Sequence, residues 1–430
     1  MRVRTVAALV VVLGLVAAAC GDGGASDSGA LIASDLQRRA PEAPAGDVAA
    51  VAAGNNAFAA AAYALLAAEE GNLVYSPASI RLALAMTYAG ARGETAAQMA
   101  DVLRFDLADQ ALHAAFNALD QELASRNKEF PATGDGVERK VQLSIANSLW
   151  GQDGFTFVPA FLDTLAEDYG AGMRVVDFVG ATEAARQAIN DWVAGETNDR
   201  ITDLIPEGVL SEATRLVLAN AVYLDATWSW LFNKEDTFEA PFFLLDGSEI
   251  SVDTMHQDRS FRYAAGEGWQ AVELPYVGDE LAMLFLVPDS GRFAEVEALV
   301  GAGLLDEVIA GLESTLVDLG LPKYEFRFKS SVADLLAAMG MPAAFDPAAA
   351  DFSGMTTEAP LFISDVIHEA FIKVDEEGTE AAAATAVIMD LTSAPSGMVN
   401  LQIDRPFLFS LYDHETGEIL FMGRVLNPAQ

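Results

Sequence analysis

The chain has 430 residues, 63 of them acidic and 25 basic, for a formal net charge of −38. So acidic a surface repels nucleic acid and heparin-like polyanions, which proteins hold through clustered Lys and Arg. Apolar residues make up 52% of the chain, enough for one large core, and the single cysteine, Cys20, excludes an intramolecular disulfide.

Residues 1–19 read as a signal peptide, with Arg2 and Arg4 ahead of an apolar stretch from Val6 to Ala19. The run Val16-Ala17-Ala18-Ala19-Cys20-Gly21 resembles the lipobox of bacterial lipoproteins. That resemblance implies cleavage before Cys20, a lipid on its sulfur, and display at the outer face of the cell membrane. Ala17 stands where the pattern prefers Leu, which keeps plain secretion open. Residues 20–46 read as a tether, rich in Gly, Ser and Asp at first and then carrying Pro41 and Pro44. Residues 47–430 read as one domain, because no repeat or linker divides them. No stretch after residue 20 reads as long and apolar enough to cross a bilayer.

Apolar spacing predicts helices at 49–70, 77–90, 94–104, 107–126, 158–169, 181–195, 293–310 and 330–340. Strands are predicted at 141–150, 214–224, 250–256, 271–276, 281–287, 315–327, 361–375, 407–412 and 419–425. Helices lead and strands crowd the second half, which points to an α+β fold. Ser76 reads as an N-cap with Pro77 in the first turn, and Gly90 as the end of that helix. Thr95 to Gln98 reads as a capping box. The terminal stretch PFLFSLYDHETGEILFMGRV reads as a hairpin buried on both faces, turning at Gly417.

Enzymatic templates are missing. There is no G-x-S-x-G, H-E-x-x-H, Walker loop or G-x-G-x-x-G, and His113, His256, His368 and His414 have no metal-ligand spacing. No cofactor or metal is expected. Residues 374–406 stand out instead as a long connection between buried strands. Thr379 to Met389 carries one charge, Glu380, and neither Pro nor Gly. Alternation puts Thr379, Ala381, Ala383, Thr385, Val387 and Met389 on one small, uncharged face. Such a segment could join the middle of a sheet. On these residues alone, an exposed Ala-rich helix is the alternative.

The stretch EEGTEAAAATAV resembles the hinge of inhibitory serpins. Other landmarks of that family follow in order: NLVYSPASIRLALAMTYAGARGET, LANAVYLDATW, LPKYEF, HEAFIKVDEEGTEAA and the C-terminal RPFLFSLYDHETGEILFMGRVLNP. The resemblance runs from about residue 47 to the C-terminus. It implies three β-sheets, eight or nine helices and an exposed reactive-centre loop over about 376–402. It also implies a monomeric suicide inhibitor of serine proteases, whose cut loop enters the large sheet. Hinge roles then fall on Glu376, Gly378, Thr379, Glu380, Ala381, Ala382, Ala383 and Ala384. Glu376 would pair with Lys323 at the top of the sheet, above Trp228. Ser76, Ser79, Asn147, Asn220 and His368 would form the polar cluster beneath its centre. Counting from Gly378, the scissile bond is Thr392–Ser393, with Leu391 the rival residue. Targets with elastase-, subtilisin- or chymotrypsin-like pockets are implied. A non-inhibitory carrier serpin and, more distantly, a surface hydrolase are the alternatives.

Overall fold

Long alternating strands decide this architecture, and the helices cover what the strands leave apolar. In a computed structural model the described residues are 29–131, 138–379 and 397–430. Among them are nine α-helices: α1 Ala45–Leu66, α2 Pro77–Tyr88, α3 Gly93–Leu103, α4 Asp109–Ala124, α5 Pro159–Tyr169, α6 Thr182–Glu196, α7 Phe293–Val300, α8 Leu304–Ala310 and α9 Ala333–Met339. The predicted α+β class holds.

The first sheet contains β1 Ala30–Ile32, β3 Lys128–Phe130, β4 Arg139–Gln152, β5 Met173–Val176, β6 Leu216–Thr227, β12 Tyr324–Ser331, β13 Asp365–Val374 and β14 Gly378–Thr379. Its order is β1-β5-β4-β6-β14-β13-β12, with β3 paired to β4. The second holds β2 Leu73–Tyr75, β7 Thr237–Phe243, β8 Glu249–Gly266, β9 Trp269–Pro275, β10 Leu281–Pro288, β11 Glu313–Pro322, β15 Val399–Gln402, β16 Phe407–Asp413 and β17 Ile419–Val425. Its order is β15-β11-β8-β9-β10-β16-β17-β2, with β7 on β8. Two of the three expected layers are thus continuous through the 18-residue β8. Its first part pairs with β7 and its last part with β9.

The main core lies between one face of the first sheet, helices α1 to α4 and the second sheet. A smaller core under α6 covers the other face, with Trp150, Ala219, Ala221 and Ile367 among its members. All twelve residues of β6 are buried, and so are all seven of β16 and of β17, as the near-continuous apolar runs of the terminal hairpin predicted. Gly417 turns the terminal hairpin at φ 71°.

Local readings differ from the structure in several places. Ser76 does cap α2, accepting from Ser79 N at 3.2 Å. That helix ends at Tyr88, just short of Gly90. Thr95 lies inside α3, which starts at Gly93. Its hydroxyl accepts from Asp351 N at 2.9 Å, so no capping box forms. The predicted 293–310 helix breaks into α7 and α8 at Gly303, φ 97°. The predicted 315–327 strand is two strands in different sheets, β11 and β12, parted at Lys323 just after Pro322.

The tether also ends earlier than residue 46. Residues 30–32 pair with β5, and Arg38 and Arg39 reach Asp120 at 2.6 Å and Asp168 at 3.1 Å. A free edge and unpaired carboxylates explain that docking. The 22-residue α1 is long and apolar enough to span a bilayer, against the sequence reading. Here it is a core helix: Phe58, Ala62 and Tyr63 are fully buried, and the buried Asn55 donates to Ile419 O at 2.7 Å. Cys20 lies outside the described residues.

Candidate functional site: a seam in the first sheet

The lower halves of β6 and β13 pair directly and in parallel, from Val217↔Asp365 to Val222↔Ala370. Above that point they part. Gly378 and Thr379 lie between them as β14, antiparallel to both. The hinge was expected outside the sheet until cleavage; its Gly378 and Thr379 are already in it. Size explains the entry of Gly378, since a Cβ there would stand 1.9 Å from Ala226 O. Thr379 is buried, and its Oγ1 lies 2.5 Å from the Tyr276 hydroxyl.

The turn before β14 is fastened from every side. Trp228 Nε1 donates to Asp375 O at 3.0 Å, Trp228 N to Glu377 O at 2.9 Å and Phe232 N to Glu376 O at 2.9 Å. The Trp228 indole stacks on Tyr276, with centroids 4.4 Å apart and planes 15° from parallel. Each of three consecutive carboxylates meets its own lysine. Asp375 pairs with Lys373 at 2.9 Å, Glu376 with Lys323 at 2.9 Å and Glu377 with Lys234 at 2.6 Å. Burial alone would raise the Glu376 carboxyl, but the Lys323 ammonium together with further hydrogen bonds to the carboxylate holds Glu376 below the usual range.

Beneath the centre of the seam, the five polar residues singled out from the sequence meet. His368 Nε2 accepts from Ser76 N at 3.1 Å, so the ring proton sits on Nδ1 and is donated to Asn220 Oδ1. Asn220 Nδ2 then donates to Ser79 Oγ at 2.5 Å and to Asn147 Oδ1. Ser79 Oγ donates to Asn147 Oδ1 at 3.2 Å. One proton assignment satisfies the whole cluster, and it requires a neutral imidazole. Complete burial pushes His368 down to about 3. Because His368↔Asn220 is also a β6–β13 pair, their side-chain bond crosses the seam.

Lys323, Trp228, Glu376, Gly378 and Thr379 likewise converge, at the top of the sheet. Glu380, Ala381, Ala382, Ala383, Ala384, Leu391, Thr392 and Ser393 lie outside the described residues. Sequence reasoning missed Tyr276, Lys234, Asp375 and Glu377. The run of three acids before Gly378 was a signal for the last two; nothing local marks Tyr276. Among the described residues, no group of His, Cys, Asp and Glu is arranged to hold a metal ion. The site offers a half-open slot for a strand.

Residues 53–428 match the family model described as serpin (serine protease inhibitor). An uncharacterised serpin-like protein of Thermococcus kodakarensis is 40% identical over 376 residues, covering 87% of this chain and 84% of its own. The leukocyte elastase inhibitor of Homo sapiens is 35% identical, covering 83% of this chain and 93% of its own. The solved native state of tengpin, a thermophilic serpin, superposes with a TM-score of 0.79 at 27% identity, covering 93% of this chain and 99% of its own.

Two outcomes follow from the geometry. Gly378→Ala expels Gly378 and Thr379 from the sheet, seen as lost hydrogen-exchange protection across 375–379; retained protection would mean that the strands relax around a methyl group. The second concerns His368, whose value is lower folded than unfolded. The unfolded chain therefore binds the extra proton, and stability falls as pH drops below about 6.5 toward about 3. By about pH 4.5 the parent should lose roughly 2–3 kcal/mol more than His368→Gln in urea unfolding. Equal losses would contradict a neutral, seam-crossing His368.

Proposed function

This chain belongs to the serpin family, and from that premise we propose that it is an irreversible inhibitor of serine proteases, working by cleavage-triggered insertion of its hinge segment. The observation that carries this reading is the half-open seam, with Gly378 and Thr379 already forming the first rungs of a new strand.

The two registers supply the next step. Thr379 lies opposite Ala226 of β6 and Val374 of β13. Continued downward, the first register sets Thr385 opposite Asn220 and the second sets it opposite His368. Those are the two residues whose mutual bond must break for the seam to part there. A threonine hydroxyl can donate to the freed Asn220 Oδ1 and accept from His368 Nδ1–H, replacing the lost bond. The same register brings Met389 to Leu216, where β6 begins. Residues 379–389 therefore match the length of the slot. Small side chains at 381, 382, 383 and 384 suit a strand buried on both faces.

In this mechanism the protease serine attacks the scissile carbonyl, releases the downstream amine and leaves an acyl ester on the upstream half. Insertion of about fifteen residues at roughly 3.4 Å each carries the ester about 50 Å along the sheet. Loss of oxyanion-hole geometry then stalls hydrolysis of the ester. The scissile bond is taken as Thr392–Ser393, with Leu391 the rival residue. Both suit elastase-, subtilisin- or chymotrypsin-like pockets, and no Lys or Arg stands nearby for a trypsin-like one. The hinge composition favours inhibition over the carrier alternative, because Thr379 and four alanines can be buried where bulky or charged side chains could not.

An SDS-resistant complex with elastase, subtilisin or chymotrypsin is the expected product, and Thr379→Arg should abolish it while leaving the loop cleavable. Cleavage of the parent without any such band, across a broad protease panel, favours the carrier reading. A Thr379→Arg variant that still traps protease rules out insertion at that position.

A further inference from the structure

The hydroxyl that receives Thr379 belongs to Tyr276, at the head of the turn between β9 and β10. That turn is bound tightly on its inner side. Asp279 N donates to Tyr276 O at 2.9 Å, and Val277 N donates to Thr227 O at 2.9 Å. Ser229 Oγ reaches both Tyr276 O, at 2.8 Å, and Asp279 Oδ1, at 2.9 Å. Asp279 is held at φ 57°, a conformation that needs support outside glycine. On its outer side the backbone of the turn is gripped by His414, which follows β16, while the Glu280 side chain is held by Arg126 and Lys128. His414 N donates to Glu280 O at 2.8 Å, and His414 Nδ1 lies 2.7 Å from Asp279 O.

A carbonyl oxygen only accepts, so Nδ1 must carry a proton. The other ring nitrogen, Nε2, lies 3.2 Å from the carboxylate of Glu273 on β9, whose side chain is only 1% exposed. Glu273 is also held by Arg262 of β8 at 3.0 Å and by the Tyr412 hydroxyl of β16. Nδ1 thus donates to a carbonyl, and Nε2 stands at ion-pair distance from a buried carboxylate without a formed hydrogen bond, an arrangement that favours the imidazolium. The remaining charged groups nearby are engaged elsewhere. Asp413, Glu280 and Glu415 pair with Arg126 at 2.7, 3.4 and 3.2 Å, and Glu280 also pairs with Lys128 at 2.6 Å.

We propose that protonated His414 is a positioning residue for the hinge: it clamps the turn at 276–280 and so holds the Tyr276 hydroxyl where Thr379 docks. Glu273 is the main cause of the histidine's preference for its charged form, and it outweighs burial, so His414 stands above the ordinary histidine value. The clamp is therefore complete at low pH and released as pH rises through that raised value. On release, either Asp279 O loses its donor or an imidazole lone pair faces a buried carboxylate. This inference rests on the hinge acting by insertion, but its test needs no protease.

Hydrogen exchange of Gly378 and Thr379 in the uncut protein, corrected for intrinsic rates at each pH, reads the clamp directly. At pH 6 the parent should protect these amides about fivefold or more better than His414→Gln, the lower end of typical coupling between sites, and the difference should vanish by pH 9. His414→Arg, which can serve both acceptors at every pH, should keep the protected state throughout. Parallel pH profiles for the three proteins would overturn the proposal. Should the parent form no covalent protease complex while these profiles diverge, the inhibitory reading falls and the positioning role stands.

Discussion

Everything in this molecule turns on the pairing of β6 with β13. It is a parallel ladder of limited length inside a sheet whose other long pairings, β4 with β6 and β12 with β13, are antiparallel. Parallel pairing is slightly the weaker per residue. A strand entering between the two exchanges one parallel ladder for two antiparallel ones, as β14 already does at the top. Each net hydrogen bond gained is worth roughly 0.5–1.5 kcal/mol, so a strand of about ten residues can outweigh the closed seam. The energy driving any rearrangement thus lies in an unmade ladder.

What keeps the seam closed is polar chemistry on both sides of that ladder. At the centre, a satisfied cluster of Ser76, Ser79, Asn147, Asn220 and His368 bridges the two strands from below. Buried networks of this kind stabilise when complete and cost heavily when half-broken, which suits a latch with two states. At the top, charge does the work. The chain contains only six lysines, and each makes an ion pair with a carboxylate. Three of the six hold the Asp375-Glu376-Glu377 turn and a fourth holds Glu369 of β13. In a chain of net charge −38, the scarce ammonium groups sit where carboxylates must be buried around the seam.

Much of this could be read from the residues. The apolar runs of β16 and β17 marked a fully buried hairpin, and the cap at Ser76 placed α2. Glu376 does meet Lys323, and the five central polar residues do meet one another. What escaped was set by contacts between distant segments. Nothing near Tyr276 announces that its ring lies on Trp228 or that its hydroxyl takes Thr379. Lys234 and His414 act on partners 143 and 141 positions away. Residues 30–32 have no strand pattern of their own and pair because β5 offers an open edge. The early entry of Gly378 depends on a backbone approach that only the assembled sheet defines.

For insertion to do work, residues after Thr379 must be more stable inside the first sheet than outside it. Thermal unfolding of the intact protein beside a preparation cut once within residues 385–393 tests this directly. The cut form should melt at a markedly higher temperature, because the freed segment fills the slot. Coincident transitions would show that no such preference is stored, and the trap would have no source of work.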